Sequence, residues 1–186
     1  MQLMFSSGKS DARTALTGAR EFSRDAERIV VAQTEGLVRS VNDFVPAELR
    51  PKYARFIQTL YGARARELSW QPKPGESEDT RLLRLGLMKF VAVTGQDRVL
   101  EDDAAKLARA WLQDRHSLDP DIVEPVLEVA AYNGDRAFFD SLVAAAKTTK
   151  GKRERDWIIG GISSFRDPAI EESALDQLWS SDLDAR

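Results

Sequence analysis

The sequence predicts an all-α protein built from antiparallel helix pairs. Three observations carry this: apolar residues recur at three- and four-residue intervals along most of the chain, no segment alternates as a strand does, and helix-starting and helix-stopping residues bound the periodic runs. The most informative stretch runs from Trp70 to Gly95, WQPKPGESEDTRLLRLGLMKFVAVTG. A loop punctuated by Pro72, Pro74 and Gly75 leads into the acidic residues Glu76, Glu78 and Asp79. Leu82, Leu83, Leu85, Met88 and Val91 to Val93 then mark one helical stripe, which Leu87 and Phe90 widen. Carboxylates in the first turn complement the positive end of the helix dipole. Gly95 stands where a C-cap glycine closes a helix.

The other elements follow in order. Residues 1–10 read as a disordered or cloning-derived start, and 11–186 as part of one helical-repeat domain truncated at both ends. Ala12, Ala15, Leu16 and Ala19, then Ala26, Ile29, Val30 and Leu37, are helically spaced, though Gly18 and Gly36 weaken the pattern. Val38 to Phe44 is apolar without a clear period. Pro51 suits the first turn of a helix that buries Tyr53, Phe56, Ile57, Leu60 and Tyr61 and runs to Leu68. Beyond Gly95, Val99, Leu100, Ala104, Leu107, Ala108, Trp111 and Leu112 form the next stripe, with Glu101 to Asp103 in its first turn. Asp119-Pro120 is an N-cap followed by a first-turn proline; Pro125 is early enough to be tolerated, and Asn133-Gly134 ends that helix. A helix carrying Phe138 and Phe139, a basic turn from Lys147 to Arg155, a helix through Trp157 and a last one begun by Asp167-Pro168 complete the chain.

The pattern amounts to about eight to ten helices joined by short loops. Pairs beginning near Glu78, Asp119 and Lys152 rise by roughly 33–41 residues, the range of helical-pair repeats. The W-x-x-L-G signature of one such repeat is missing. The expectation is therefore an irregular HEAT-like, right-handed α-α superhelix.

Composition excludes several classes. The chain has 186 residues, 42% hydrophobic and 31% charged, with a formal net charge of −3 and no cysteine. The balanced charge lacks the basic excess of a nucleic-acid binder, and no apolar run approaches the ~20 residues of a membrane span. The N-terminus has no apolar core of a secretory signal. Neither a disulfide framework nor a thiolate metal site can form, which suits a reducing compartment and a cytoplasmic location.

No catalytic apparatus is legible. A zinc site of the H-E-x-x-H type needs two imidazoles, and the chain has only His116, in a polar loop. Nothing beside it resembles a nucleophile with its base. Gly8-Lys9-Ser10 looks like the tail of a phosphate-binding loop, but Leu3 stands where that motif needs glycine. The acidic clusters sit at helix starts and lack calcium-loop spacing. No catalytic residue, metal ligand or cofactor is expected in this chain. Trp111, Trp157 and Trp179 fall on apolar stripes and read as core.

The segment Leu68-Ser69-Trp70 followed by PKPGESEDTRLLR, Pro72 to Arg84, resembles the C-terminal helical domain of zinc aminopeptidases. The family is that of aminopeptidase N and puromycin-sensitive aminopeptidase, with their endoplasmic-reticulum relatives. Those domains carry an L-G-W-like turn, a P-K-x-G-E loop and then L-L-R opening a long helix. Gly95-Gln96-Asp97, Asp119-Pro120, Asn133-Gly134, Phe138-Phe139 and Arg166 to Pro168 continue the likeness in order. Ser69 replaces the usual glycine, a departure read as minor. The family's H-E-x-x-H and G-A-M-E-N-like segments, which belong to an upstream domain, are absent.

The resemblance implies a non-catalytic domain that encloses the substrate chamber and gates or positions peptides for a zinc-bearing catalytic domain acting in cis. Arg81, Arg84, Lys150 and Arg153 are the candidate contacts for peptide or partner. The alternative is a free-standing HEAT-like scaffold that binds a partner protein in its groove.

Overall fold

The computed structural model describes residues 12–179; the Gly8-Lys9-Ser10 run and both chain ends lie outside the described residues. Among them every regular element is helical, so the fold is all-α. The chain divides into two compact units, the first ending at Asp97 and the second beginning at Arg98. The repeat pattern read from sequence gives no sign of that boundary.

In the first unit, α1 (Ala12–Phe22) and α2 (Arg28–Val41) pack on one another. The ambiguous stretch after Val38 finishes α2 and becomes a 3-10 turn, Asn42–Phe44; a second follows at Ala47–Leu49. Proline in the first turn opens α3 (Arg50–Ile57), which passes through a π-helical turn, Gln58–Gly62, into α4 (Ala63–Leu68). After the loop, α5 (Glu78–Lys89) begins under a Ser77 N-cap whose hydroxyl accepts from the Thr80 amide at 3.2 Å. A second π-helical turn, Phe90–Thr94, ends it. Helix α5 packs on α2 and α4, and the two π-turns touch. Ile57, Tyr61, Leu87, Met88, Phe90 and Val91 form the dry centre, with the Tyr61 and Phe90 rings 6.3 Å apart.

The second unit holds α6 (Arg98–Gln113), α7 (Pro120–Tyr132), α8 (Arg136–Thr148), α9 (Lys152–Ile162) and α10 (Pro168–Trp179). Capping carboxylates explain three of these starts. Asp119 accepts from the Asp121 amide at 3.0 Å, Asp135 from Phe138 at 2.8 Å, and Asp167 from Ala169 at 3.0 Å. Helix α7 lies against both α6 and α9, and α8 packs on α9. Edge-to-face aromatic pairs tie the layers: Trp111 with Trp157 at 6.2 Å and Phe139 with Phe165 at 5.4 Å.

Several sequence expectations need correction. Leu82 and Leu85 were placed on the buried stripe of α5 but are 43% and 40% exposed. At about 100° per residue, the arc that faces the core carries Leu83, Leu87, Met88 and Val91, and Leu82 and Leu85 fall opposite it. Ile29 and Val99 are likewise solvent-facing. Gly95 is not a left-handed cap: its φ is −76°, and the left-handed residue is Gln96 at φ 52°. The π-turn delays the helix end and moves the reversal one residue on.

Two glycines separate space from conformation. A Cβ at Gly86, in exposed α5, meets nothing within 4 Å, whereas one at Gly134 falls 2.7 Å from Phe165 Cε1 and 3.0 Å from the Ala130 carbonyl. In denaturant titrations Gly86→Ala therefore gains about 1 kcal/mol, and Gly134→Ala loses stability because an aromatic ring and backbone must both move. Equal effects of the two substitutions contradict this reading.

Candidate functional site

The loop that carries the family-like residues is held by one side chain. Arg84, on α5, is 1% exposed. Its Nη1 donates to Glu76 Oε2 at 2.6 Å, and its Nη2 donates both to Glu76 Oε1 and to the Leu68 carbonyl, the latter at 3.1 Å. Its Nε donates to the Ser69 carbonyl at 2.9 Å. The planar guanidinium thus spans the end of α4 and the far side of the loop in one fork, a task for which lysine lacks the geometry. The last arginine of the L-L-R run and the glutamate of the P-K-P-G-E run are therefore partners.

This geometry bears on the expectation for Arg84: the side chain is buried and its donors serve the loop. It also corrects the reading of Ser69 as a minor departure. Ser69 has φ 54° and ψ 170°, a region that is essentially glycine's own and costs other residues on the order of 1–3 kcal/mol. The glycine expected by family resemblance has a physical reason here. Farther along the loop, Trp70 tucks in at 3% exposure, and Gly75 takes φ 76°.

The Arg84 hydrogen bond, aided by its charge and opposed by burial, holds the Glu76 carboxyl below the usual carboxylate range. A lowered folded pKa contributes stability that is present above the ordinary carboxylate range and lost as pH falls through the lowered value. Glu76→Gln should therefore flatten the acid limb of the stability-pH curve, measured by circular dichroism; an unchanged limb contradicts the clamp. Arg84→Met, which leaves Glu76 and two carbonyls without their donor, costs about 3 kcal/mol. Ser69→Gly gains about 1 kcal/mol by relieving the backbone. A stability scan of both variants checks the pair.

The other predicted contacts lie apart in sequence and unit. Arg81 is half-buried on α5 in the first unit. Lys150 and Arg153 belong to the second, Lys150 exposed in the loop before α9 and Arg153 in its first turn. The Arg153 guanidinium lies 4.8 Å over the Trp157 ring and 4.0 Å from Asp121 Oδ1, so it is oriented yet 69% exposed.

Sequence reasoning missed Arg109. It lines a shallow cleft of about 400 Å³ in the second unit with Leu112, Gln113, Asp135, Phe138 and Ser141. Its guanidinium stacks 5.3 Å over Phe138 and lies 3.9 Å from Asp135. Nothing in the α6 pattern distinguishes Arg109 from a solvated surface arginine; the signal is the helix α8 that passes beside it. His116 is exposed, with its amide donating to Asp114 at 2.9 Å. Among the described residues, no group of three or more His, Cys, Asp or Glu side chains is gathered for a metal ion, and no helix is long and apolar enough to cross a membrane. What the described surfaces offer is shape and charge.

Comparison with known proteins agrees with the family resemblance. Residues 2–185 match the model of the ERAP1-like C-terminal domain. The chain is similar to Aminopeptidase M1 of Arabidopsis thaliana, 29% identical over 141 residues, which is 73% of this chain and 16% of that protein. It is also similar to Aminopeptidase M1-A of Oryza sativa subsp. japonica, 25% identical over 162 residues, or 84% of this chain and 17% of the relative. The chain thus spans only a small part of the length of the curated relatives it matches.

Proposed function

The chain belongs to the ERAP1-like C-terminal domain family, and from that premise we propose that it is the non-catalytic helical domain of a zinc aminopeptidase. In this reading it encloses the substrate chamber and helps gate or position peptides, while a catalytic domain in cis holds the zinc and removes the N-terminal residue. The observation that carries the reading is the match along nearly the whole chain, joined to relatives that are named aminopeptidases and are several times longer. The helical layers and solvent-facing cations supply a surface for binding, with no chemistry of their own assigned. An α-α superhelix is the arrangement that gives such a domain a concave face.

Arg81, Lys150 and Arg153 are the residues proposed to meet the carboxylates of a peptide far from its scissile end. Arg84 is left out of that set. The cytoplasm is the proposed location, in keeping with the absence of cysteine. A peptide contact made by Lys150 and Arg153, both exposed, contributes modest affinity and depends on salt.

The test uses the full polypeptide that carries this chain. Replacing Arg81, Lys150 and Arg153 together by glutamate should raise KM for peptides of about ten residues roughly three- to tenfold, with turnover of a short aminoacyl reporter unchanged. Equal effects on both substrates overturn the assignment of these residues. Zinc-dependent release of amino acids by the isolated 186-residue chain overturns the reading as a whole.

A further inference from the structure

The turn that ends the first unit is gripped by side chains distant in sequence. Two π-helical turns, Gln58–Gly62 and Phe90–Thr94, pack against each other just before it. Such turns are rare and concentrate where backbone geometry has a task. After the second, the Gly95 amide donates to the Phe90 carbonyl at 3.0 Å and the Asp97 amide to Val91 and Ala92 at 3.3 and 3.0 Å. A Cβ at Gly95 falls far inside contact with the Val91 carbonyl oxygen, so only glycine allows this approach. Gln96 then takes φ 52°, a left-handed conformation with a strain cost for any residue bearing a Cβ.

Two side chains from the facing helix hold the strained turn. Gln58 Nε2 donates to the Gly95 carbonyl at 2.6 Å and to the Gln96 carbonyl at 3.2 Å. Arg66 Nη1 donates to Asp97 Oδ2 at 2.5 Å. Asp97 is 2% exposed, whereas the Arg66 side chain is 44% exposed, so water already reaches one half of the pair. The grip is polar, and the Arg66 side of it already meets solvent. The next residue, Arg98, starts the second unit.

We propose that residues 95–97 are a latched hinge: Gln58 and Arg66 hold the turn shut, and their release frees the backbone to change direction where the chain enters Arg98. Hinges of this kind concentrate a large φ/ψ change in a few residues at the end of an element. Strain at Gln96 favours release, and the Gln58 and Arg66 bonds oppose it. The inference is independent of the peptidase reading, because it concerns this chain alone.

The absence of cysteine makes the test direct, since Lys52→Cys and Glu172→Cys introduce the only two thiols for a dye pair. Both positions are exposed, one in each unit. Single-molecule energy transfer and amide hydrogen exchange are compared between this background and the added variants Gln58→Met and Arg66→Met. The expected result is a broader transfer distribution, with exchange at the Gly95, Gln96 and Asp97 amides at least tenfold faster and the α2 and α5 amides unchanged. Arg66→Met removes a cation from a buried carboxylate and can loosen the whole unit; Gln58→Met removes no charge and keeps the test decisive. An unchanged distribution in Gln58→Met overturns the hinge. Uniformly faster exchange across the first unit in that variant also overturns it, because the grip would then be ordinary fold stabilisation.

Discussion

The first unit depends on the buried fork of Arg84. One guanidinium satisfies a carboxylate and two main-chain carbonyls, and in doing so fixes where α4 ends, where the loop turns and how α5 begins. An arginine at 1% exposure is tolerated only because each face of its fork finds an acceptor. The strain at Ser69 lies under the same fork, since the Ser69 carbonyl is one of those acceptors. A backbone conformation that favours glycine is thus kept by a side chain 15 residues away in sequence.

Apolar packing supplies bulk stabilisation in both units, but polar contacts decide where elements start and stop. In the first unit the decisive ones are long-range: Arg84 on the loop and Gln58 with Arg66 on the closing turn. In the second, carboxylates at Asp119, Asp135 and Asp167 cap helices locally. Local caps can be read from neighbours in sequence, and long-range forks cannot. Their different ranges account for what the sequence revealed.

The helical class was legible because α6, α7 and α8 carry strong 3.6-residue periodicity and standard caps. The starts at Asp119-Pro120 and Asp167-Pro168 follow from the same local chemistry. The π-turns escaped notice, since one extra residue per turn leaves no compositional mark, and with them went the true reversal at Gln96. Leu82 and Leu85 misled because leucine on an exposed arc looks the same as leucine on a buried one. The site was less legible still. Arg84 and Arg153 are both helical arginines, yet one is spent inside the fold and the other stands over Trp157 facing solvent.

As a family member, the chain contributes folded surface, and its quoted motif is explained by packing: the glutamate and arginine pair, and the expected glycine answers a backbone angle. A motif of that kind identifies a domain without locating its ligand. The central claim is that this helical domain works as part of a longer aminopeptidase polypeptide. The most direct measurement is the size of the native protein in source cells, by immunoblot against this chain. The account predicts a band several times larger than 20.8 kDa; a band at 20.8 kDa contradicts it and leaves a free-standing scaffold.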